Sequence, residues 1–463
     1  MRNPVLPLFA LLAGCAPLSE HDDWSHRPAT ETQALPIDTG IFAGARDLPA
    51  FDGVPPKNVL MISIDTWRRD HFDRFGDGRE FTPFMASLAE QGLSLDDHTT
   101  CSNWTYAGTT CTILGMYNID NDFLPKIGAD YRDPVPSGTK FLASYLVPAG
   151  YHNLLVSGNS WLGQQYNNAQ GYHDADPPGV QNTKELLEVG IERLEAAVDP
   201  LNDKWFLHMH LMEPHVAYKP PDEYLTELED LQPLPYDVTI NEQHYDATSD
   251  WPDMTDDERD LLKQHLLVRY RGELRYMDDQ IAEVFADIDA KGYLDDTLVV
   301  FWTDHGEAFW EHEKQSHAWT LHRPENDGIA FFWSKNMLPT AWGGPTVAID
   351  LAPTILGTLG LLIPDEMTGI RVGQAPPGRD RFGYAIARGT PSQSIRQNEW
   401  KLIFTWDGTV ELYNLDEDPD EVTNVYTADH PVARSLWALL KPRVEATAAL
   451  APEETLSWPP GLD

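Results

Sequence analysis

A run of β-branched and aromatic residues, Thr297-Leu-Val-Val-Phe-Trp-Thr303, leads directly into Asp304 and His305. Such a run predicts a buried strand, with a carboxylate and an imidazole at its carboxyl end. A second run, Asn58-Val-Leu-Met-Ile-Ser-Ile64, leads in the same way to Asp65. Because open α/β sheets bind ligands at the carboxyl ends of their strands, the two segments predict one shared cation site.

The net charge of the chain limits its partners. Its 463 residues include 33 basic and 73 acidic side chains, for a formal net charge of -40. Such a surface repels nucleic acid and anionic lipid, so we expect neither as a partner. An anionic substrate would need a local positive centre, which a bound divalent cation supplies. The acidic surface is also typical of a protein from a salty habitat.

The N-terminal residues have the pattern of a sorting signal. A short apolar run from Pro4 to Leu12 precedes Leu12-Ala-Gly-Cys15, as in a bacterial lipoprotein signal cleaved before a lipid-bearing cysteine. We predict a signal peptide over residues 1–15, a lipid anchor on Cys15 and a flexible tether over residues 16–56. A plain secretory signal is the alternative. Either signal predicts a location outside the cytoplasm, on the periplasmic or extracellular face of the envelope for the anchored form.

Two cysteines remain, Cys101 and Cys111. In an oxidising compartment they could form a disulfide around Thr105, or they could be two separate buried thiols. The sequence leaves both options open.

Strands and helices alternate along most of the chain, which predicts an α/β fold with a mostly parallel central sheet sandwiched between helices. The predicted strands are 58–64, 153–157, 205–212 and 297–302, and the predicted helices are 83–91, 139–149, 184–197, 272–290 and 431–445. Residues 220–262 are expected to form a surface excursion beside a cleft. Short strands follow, including a hairpin over 400–413, so we predict domains over residues 57–372 and 373–463.

The candidate metal ligands are Asp65, Asp304 and His305. Two carboxylates and one imidazole suit a divalent ion that accepts oxygen and nitrogen donors, such as Mn²⁺ or Zn²⁺. The alternative for an Asp directly after a strand is a helix N-cap. Two such strand ends in one sheet favour the metal site.

Thr105 is the candidate nucleophile. It lies where a loop is expected to enter a helix, and free backbone N–H groups at such a helix start attract phosphate or sulfate oxygens. Coordination to a cation would lower the pKa of its hydroxyl. The alternative is an ordinary N-cap threonine, which the spacing alone favours.

Histidines form two further groups. His208, His210 and His215 lie at the end of one predicted strand. His312 and His317 follow the predicted strand that leads to Asp304. Together they predict a cleft that handles an anion, by holding its oxygens or by protonating a leaving group. Taken singly, each histidine is more often a satisfied polar side chain.

Several segments, in chain order, resemble the sulfatase-like branch of the alkaline phosphatase superfamily. The matching segments are Asn58–His71, Phe206–Tyr218 with Glu213 in place of the usual Asp, Leu294–Glu307, Glu311-His312, Asp350–Leu356 and Glu411–Pro419. The resemblance implies a central sheet between helices followed by a small C-terminal α+β subdomain with a short antiparallel sheet.

The resemblance also implies roles for particular residues. Asp65, Asp304 and His305 match metal ligands, and Thr105 matches the nucleophile, itself a ligand of the ion. By the same resemblance the substrate contacts are His215, His317, Arg68 and Asn159, with His215 and His317 also in catalytic roles.

The chain departs from the sulfatase pattern at three positions. The segment Thr105-Tyr-Ala-Gly-Thr109 replaces the Cys/Ser-x-Pro-x-Arg motif, so formylglycine cannot form and Thr109 stands in place of the motif Arg. Thr66 replaces a second acidic ligand. A threonine nucleophile resembles instead the phosphodiesterases and the phosphoglycerol or phosphoethanolamine transferases of the superfamily. Their second zinc site is not evident, unless His208, His210 or His317 supplies it.

These observations predict a hydrolase or transferase that uses one divalent cation (Mn, Zn, Mg or Ca, with Mn or Zn favoured). Its substrate would be an anionic phosphate or sulfate ester or diester, for example on a glycan or a lipid headgroup. Two alternatives are a sulfatase that works without formylglycine and a catalytically silent protein that binds an anionic glycan or lipid.

Overall fold

The computed structural model describes residues 46–76, 78–125 and 134–462, all within one unit, Ala34–Asp463. The predicted signal peptide, Cys15 and the tether up to residue 45 lie outside the described residues. Within the described part of the chain, no helix combines the length and the apolar composition that crossing a membrane requires.

Seven strands form the central sheet, in the order β3-β4-β1-β5-β8-β2-β9. Their bounds are β1 Asn58–Ile64, β2 Leu93–Thr99, β3 His152–Ser157, β4 Trp205–Leu211, β5 Thr297–Thr303, β8 Ala330–Trp333 and β9 Thr340–Val347. Neighbouring pairs among β3, β4, β1 and β5 are parallel, as are β2 and β9, whereas β8 runs antiparallel to both of its neighbours. The predicted α/β class with a mostly parallel sheet is confirmed.

Two further sheets are small and antiparallel. One pairs β6, Ala308–Phe309, with β7, Gln315–Ser316. The other contains β10 Arg381–Ala385, β11 Ser392–Gln397, β12 Trp400–Thr405 and β13 Val410–Asn414. The predicted hairpin is confirmed as β12 and β13, which pair from Trp400↔Asn414 to Phe404↔Val410.

Helices flank the sheets. They are α1 Pro83–Gln91, α2 Thr105–Leu114, α3 Leu142–Leu146, α4 Thr183–Ala197, α5 Asn241–Ser249, α6 Asp256–Ala290, α7 Arg323–Asn326, α8 Leu351–Thr358 and α9 Pro431–Leu450. Helix α4 packs on β3 and β4, and α9 packs on β11 and β12.

Among the predicted helices, α6 and α3 differ most from their predicted bounds, whereas α9 extends to Leu450 and α4 begins one residue earlier, at Thr183. Helix α6 begins at Asp256 rather than at residue 272, because Thr255 and Glu258 form a capping box that starts it 16 residues earlier. The excursion predicted for residues 220–262 therefore ends before this helix and contains α5. The helix predicted over 139–149 is limited to α3, since Phe141 is its N-cap and Pro148 lies in a following 3₁₀ turn.

Ion pairs connect the four-stranded antiparallel sheet to the central sheet. Asp97 on β2 pairs with Arg381 and Arg396 on β10 and β11, and Arg396 also contacts Asp327. Asp327 also pairs with Arg323. Burial raises the pKa of Asp327, but Arg323 and Arg396 lower it further, so its net pKa lies below the ordinary value.

Cys101 and Cys111 are joined in a disulfide, with Cα atoms 6.7 Å apart. The structure therefore favours the first of the two options that the sequence left open. The bond ties the loop before α2 to the middle of that helix.

Candidate functional site

The carboxyl ends of β1 and β5 bring the predicted metal ligands together. These strands are parallel neighbours, and Ile64 is in register with Thr303. The next residue on each strand, Asp65 and Asp304, therefore emerges at the same edge of the sheet. Neither Asp is a helix N-cap, because the first helical turn after Asp65 has Arg68 as its N-cap and no helix follows Asp304 directly.

Asp65, Asp304 and His305 form a compact group of potential metal ligands. His305 Nε2 lies 3.5 Å from Asp65 Oδ1 and 3.4 Å from Asp304 Oδ2. All three side chains are buried, and their ligand atoms lie within 4.8 Å of one another. Among the described residues this is the single group of three or more such side chains with this spacing.

The hydrogen bonding of these residues fits a bound cation. Asp65 Oδ1 and Asp304 Oδ2 are buried without a hydrogen-bond partner, an arrangement that is costly for a carboxylate oxygen. The His305 Nδ1–H group donates to the carbonyl of Gly306 over 2.9 Å. This bond leaves the lone pair of Nε2 free to bind a metal, which is how metal-binding histidines are usually oriented.

Burial and neighbouring charges shift the pKa values of the three residues. Burial raises the pKa of Asp65, but His215 and other nearby histidines lower it below its ordinary value. Burial and the negative charge of Asp65 raise the pKa of Asp304 well above its ordinary value. Burial, aided by His317, lowers the pKa of His305 to about 3, so this imidazole is neutral, as a metal ligand must be.

Thr105 is the first residue of α2, and its hydroxyl points into this group. Its Oγ1 lies 3.3 Å from Asp65 Oδ2 and 3.4 Å from His305 Nε2. The N-cap of α2 is Trp104, so the interpretation of Thr105 as an ordinary N-cap is wrong.

Gly108 allows α2 to approach the end of β5 closely. A Cβ atom at this position would lie 2.5 Å from the backbone oxygen of Asp304. Only a glycine can occupy such a position without a shift of the backbone, so Gly108 sets the distance between Thr105 and the ligands.

Asn159 and His210 complete the surroundings of Asp65. The Asn159 amide donates to Asp65 Oδ2 over 2.9 Å and lies 3.5 Å from Thr105 Oγ1. His210 Nε2 lies 3.3 Å from the same Asp65 oxygen. The sequence placed His210 in a predicted anion-handling cleft or at a second metal site, not beside Asp65. Its contact with Asp65 depends on the position of β4 beside β1, which the sequence alone does not give.

His215 and His317 lie beside His305. The ring centroids of His305 and His317 are 4.6 Å apart, and those of His317 and His215 are 5.2 Å apart. His317 Nδ1 contacts Glu307 Oε1 at 3.2 Å. Burial lowers the pKa of His317, but Glu307 raises it above its ordinary value overall.

A buried carboxylate connects the loop of His317 to the loop before Thr105. Glu325 Oε2 accepts hydrogen bonds from the backbone N–H groups of Trp319 and Thr320 and from the side chain of Asn103. The backbone of Asn103 also accepts a hydrogen bond from Ala318. Glu325 was not identified from the sequence.

Arg68 does not join the central group. Its guanidinium donates to the carboxylates of Asp70 and Glu311 and to the carbonyl of Glu307. These partners leave it few donors for a substrate, so its predicted role as a substrate contact stays a prediction.

The structure also answers two questions raised by the departures from the family pattern. Thr109 donates its hydroxyl to the backbone carbonyl of Thr105 within α2, so it does not replace the anion contact of an Arg. His208 contacts Ser63 and Tyr172 rather than the ligand group. Among the described residues no second group of three or more metal-ligand side chains is present.

Known proteins match this chain in sequence and in fold. It is 25% identical to a choline-sulfatase of Rhizobium meliloti, over 35% of this chain and 33% of that protein. It is 23% identical to an arylsulfatase of Clostridium perfringens, over 58% of this chain and 57% of that protein. The chain thus matches about a third to just over a half of the length of these curated relatives.

Solved structures share the fold over most of the chain. A phosphonate monoester hydrolase of Silicibacter pomeroyi has a TM-score of 0.63 and 18% identity, covering 85% of this chain and 95% of that one. A protein solved with its substrate D-glucosamine-2-N,6-O-disulfate has a TM-score of 0.64 and 16% identity, covering 86% and 99%. The sulfatase family model matches residues 57–361. The chain therefore belongs to the sulfatase family.

Proposed function

We propose that this protein is a divalent-metal-dependent hydrolase of sulfate or phosphate esters in which Thr105 is the nucleophile. The observation that carries the proposal is the position of the Thr105 hydroxyl, 3.3 Å from Asp65 and 3.4 Å from His305. Family members are metal-dependent, and the two buried carboxylate oxygens without partners lie beside this hydroxyl.

Asp65 Oδ1, Asp304 Oδ2 and His305 Nε2 would hold the ion, with Thr105 Oγ1 as a fourth ligand. A bound divalent cation would lower the pKa of the Thr105 hydroxyl and offset the negative charge of the ester oxygens. A mixed set with one nitrogen and few oxygens suits Mn²⁺ or Zn²⁺ better than Ca²⁺, which takes six to eight oxygens.

The covalent steps can be written with the residues of this site. Thr105 gives its hydroxyl hydrogen to Asp65 Oδ2, its oxygen bonds to phosphorus or sulfur, and the bond to the leaving oxygen breaks. His317, held by Glu307, donates a proton to that oxygen. A water molecule or an acceptor alcohol then gives a hydrogen to His317 and attacks phosphorus or sulfur. The bond to the Thr105 oxygen breaks, and Thr105 regains its hydrogen from Asp65. His215 would hold a non-bridging oxygen.

The names of the relatives and fold neighbours guide the choice of substrates. They include hydrolases of sulfate esters and of a phosphonate monoester. The absence of a formylglycine motif favours phosphate diesters and related monoanions, with glycans or lipid headgroups as the carrier. If Cys15 carries a lipid, the enzyme would act at the surface of the envelope.

Thr105→Ala tests the proposal against a panel of aryl sulfate, phosphate monoester, phosphate diester and phosphonate monoester substrates. We expect the loss of all turnover with the metal still bound, because Asp65, Asp304 and His305 remain as ligands, and partial activity in Thr105→Ser. Thr112→Ala is the matched control, because its hydroxyl bonds to Gly108 on the same helix. Full activity of Thr105→Ala would remove Thr105 from the mechanism.

The same panel separates the remaining alternatives. Exclusive cleavage of aryl sulfate would indicate a sulfatase that works without formylglycine. Transfer to an added alcohol would indicate a transferase. A wild-type protein with no stoichiometric metal and no turnover would indicate a silent binding protein.

A further inference from the structure

His210 is a buried titratable side chain that the proposed mechanism does not use. It lies on β4, which is parallel to β1, and is in register with Ser63. Its solvent exposure is 0%. Its two ring nitrogens have different partners: Nδ1 lies 2.8 Å from Ser63 Oγ, and Nε2 lies 3.3 Å from Asp65 Oδ2.

These contacts define the tautomer of the ring. An ionised carboxylate oxygen can only accept a hydrogen bond, so Nε2 carries the hydrogen that points at Asp65. Nδ1 then accepts the hydrogen of the Ser63 hydroxyl. Ser63 thus holds the imidazole with its N–H group directed at the candidate ligand.

Three donors meet at one oxygen of Asp65. Besides His210, the Asn159 amide lies 2.9 Å and the Thr105 hydroxyl 3.3 Å from Oδ2. The other oxygen, Oδ1, has no hydrogen-bond partner. The two oxygens of the carboxylate therefore differ: Oδ2 accepts hydrogen bonds from protein donors, and Oδ1 is available to bind a cation.

We propose that His210 is a positioning residue that restricts Asp65 to binding the metal through one oxygen. The proposal rests on the metal site of the proposed function. Asp304 is restricted in the same way, since its Oδ1 accepts the backbone N–H of His305 over 2.9 Å. Each carboxylate then supplies one oxygen, which favours a small ion with few ligands and disfavours Ca²⁺, whose high coordination number is often met by bidentate carboxylates.

His208 provides a matched control on the same strand. It lies two residues from His210 on the same face of β4 and is equally buried. Its ring contacts the Ser63 hydroxyl at 3.4 Å and the Tyr172 hydroxyl at 3.0 Å. It makes no hydrogen bond with Asp65, so its removal changes the sheet interior but leaves all three donors at Asp65 Oδ2 in place.

The test is the affinity of metal-free protein for Mn²⁺ and Ca²⁺, measured by titration calorimetry on wild type, His210→Ala, His210→Gln and His208→Ala. Loss of a group that orients a metal ligand typically weakens metal binding by about 10- to 100-fold. We expect that loss for Mn²⁺ in His210→Ala. In that variant Asp65 Oδ2 keeps the Asn159 and Thr105 donors but loses the His210 donor, so it becomes more available as a second ligand oxygen. Ca²⁺ binding should therefore change less, and the Mn²⁺/Ca²⁺ preference should fall at least about tenfold.

His210→Gln keeps an N–H donor near the place of Nε2, so it should restore most of the preference, and His208→Ala should keep it. An unchanged preference in His210→Ala, or an equal loss in His208→Ala, would overturn the proposal. If His210→Ala does not fold, Ser63→Ala replaces it, because it removes the group that orients the ring. An unchanged preference in that variant would also overturn the proposal.

The outcomes distinguish this proposal from the proposed function. A wild type that binds Mn²⁺ with the expected preference but cleaves no ester would refute the function and keep the role of His210. A wild type that hydrolyses esters, with a preference that His210→Ala does not alter, would refute only the role of His210. A wild type that binds neither ion would overturn both.

Discussion

Asp304→Asn should separate the stability of the protein from its ability to bind metal. The substitution keeps the shape of the side chain and removes one of two buried negative charges. The ligand atoms of the site lie within 4.8 Å of one another. At that separation and an effective dielectric constant of about 20, the repulsion between two carboxylates is about 3 kcal/mol.

Part of this repulsion is already relieved in the metal-free protein. Burial and Asp65 raise the pKa of Asp304, so its carboxyl group holds a proton more readily than usual. We therefore expect metal-free Asp304→Asn to unfold with the same free energy as wild type or with up to about 3 kcal/mol more. Asp350→Asn is the control, because the Asp350 carboxylate is buried against Arg379. Breaking that pair should cost about 3–5 kcal/mol.

Added metal should stabilise wild type but not Asp304→Asn. At a free metal concentration of about 100 times the Kd, binding stabilises the folded state by about 2.7 kcal/mol. For 463 residues the unfolding entropy is about 1 kcal/mol per kelvin. Wild type should therefore gain about 3 °C in Tm, and Asp304→Asn should gain none.

The assay is thermal unfolding of wild type and Asp304→Asn in EDTA and in excess Mn²⁺, with calorimetric detection. Two results would refute the reasoning: a metal-free Asp304→Asn protein clearly less stable than wild type, or a metal-dependent gain in Tm that survives the substitution. The first result would mean that the carboxylate stabilises the fold without metal. The second would place the ion elsewhere.

Three further substitutions test the supports of the site. Gly108→Ala should destabilise the protein and weaken metal binding, because the new Cβ atom meets the Asp304 backbone oxygen at 2.5 Å. In an ordinary helix the same substitution stabilises by about 1 kcal/mol. A rise in the free energy of unfolding would therefore contradict this prediction. Glu325→Ala should lower kcat at least tenfold with an unchanged metal Kd, because it frees the loop of His317. Asp327 has a lowered pKa, so its ionised form stabilises the folded protein above about pH 4. That stabilisation is lost as the pH falls below this value. Urea unfolding between pH 3 and 7 should therefore show a weaker loss of stability toward low pH in Asp327→Asn than in wild type.

The sequence was sufficient to predict β1 and β5 and the candidate ligands at their ends. Residues 58–64 and 297–303 form short, mostly apolar runs typical of a strand buried on both faces, and both strands lie inside the sheet. Their polar residues come directly after the apolar run, so the position of Asp65, Asp304 and His305 followed from chain order alone. Where a strand ends depends on neighbouring residues in the chain, so it can be predicted from the sequence.

The contacts of Asn159 and His210 could not be predicted in this way. Both depend on strand order, which places β4 between β3 and β1. Strands β2, β8 and β9 were also missed, since β8 has only four residues and β9 contains two glycines and a proline. The start of α6 was missed for a different reason. Its first turns are polar, and only the capping box at Thr255 marks where it begins.

The charge of the site imposes an order on binding. Asp65, Asp304 and Glu307 are buried around Thr105 and His317 in a chain with a net charge of -40. We expect these carboxylates to repel an anionic ester until a cation is bound. Substrate should therefore bind only to the metal-loaded protein. Calorimetry with inorganic phosphate and sulfate should detect no binding in EDTA and measurable binding after Mn²⁺ is restored. Equal affinity under both conditions would mean that the anion site is built by the protein alone.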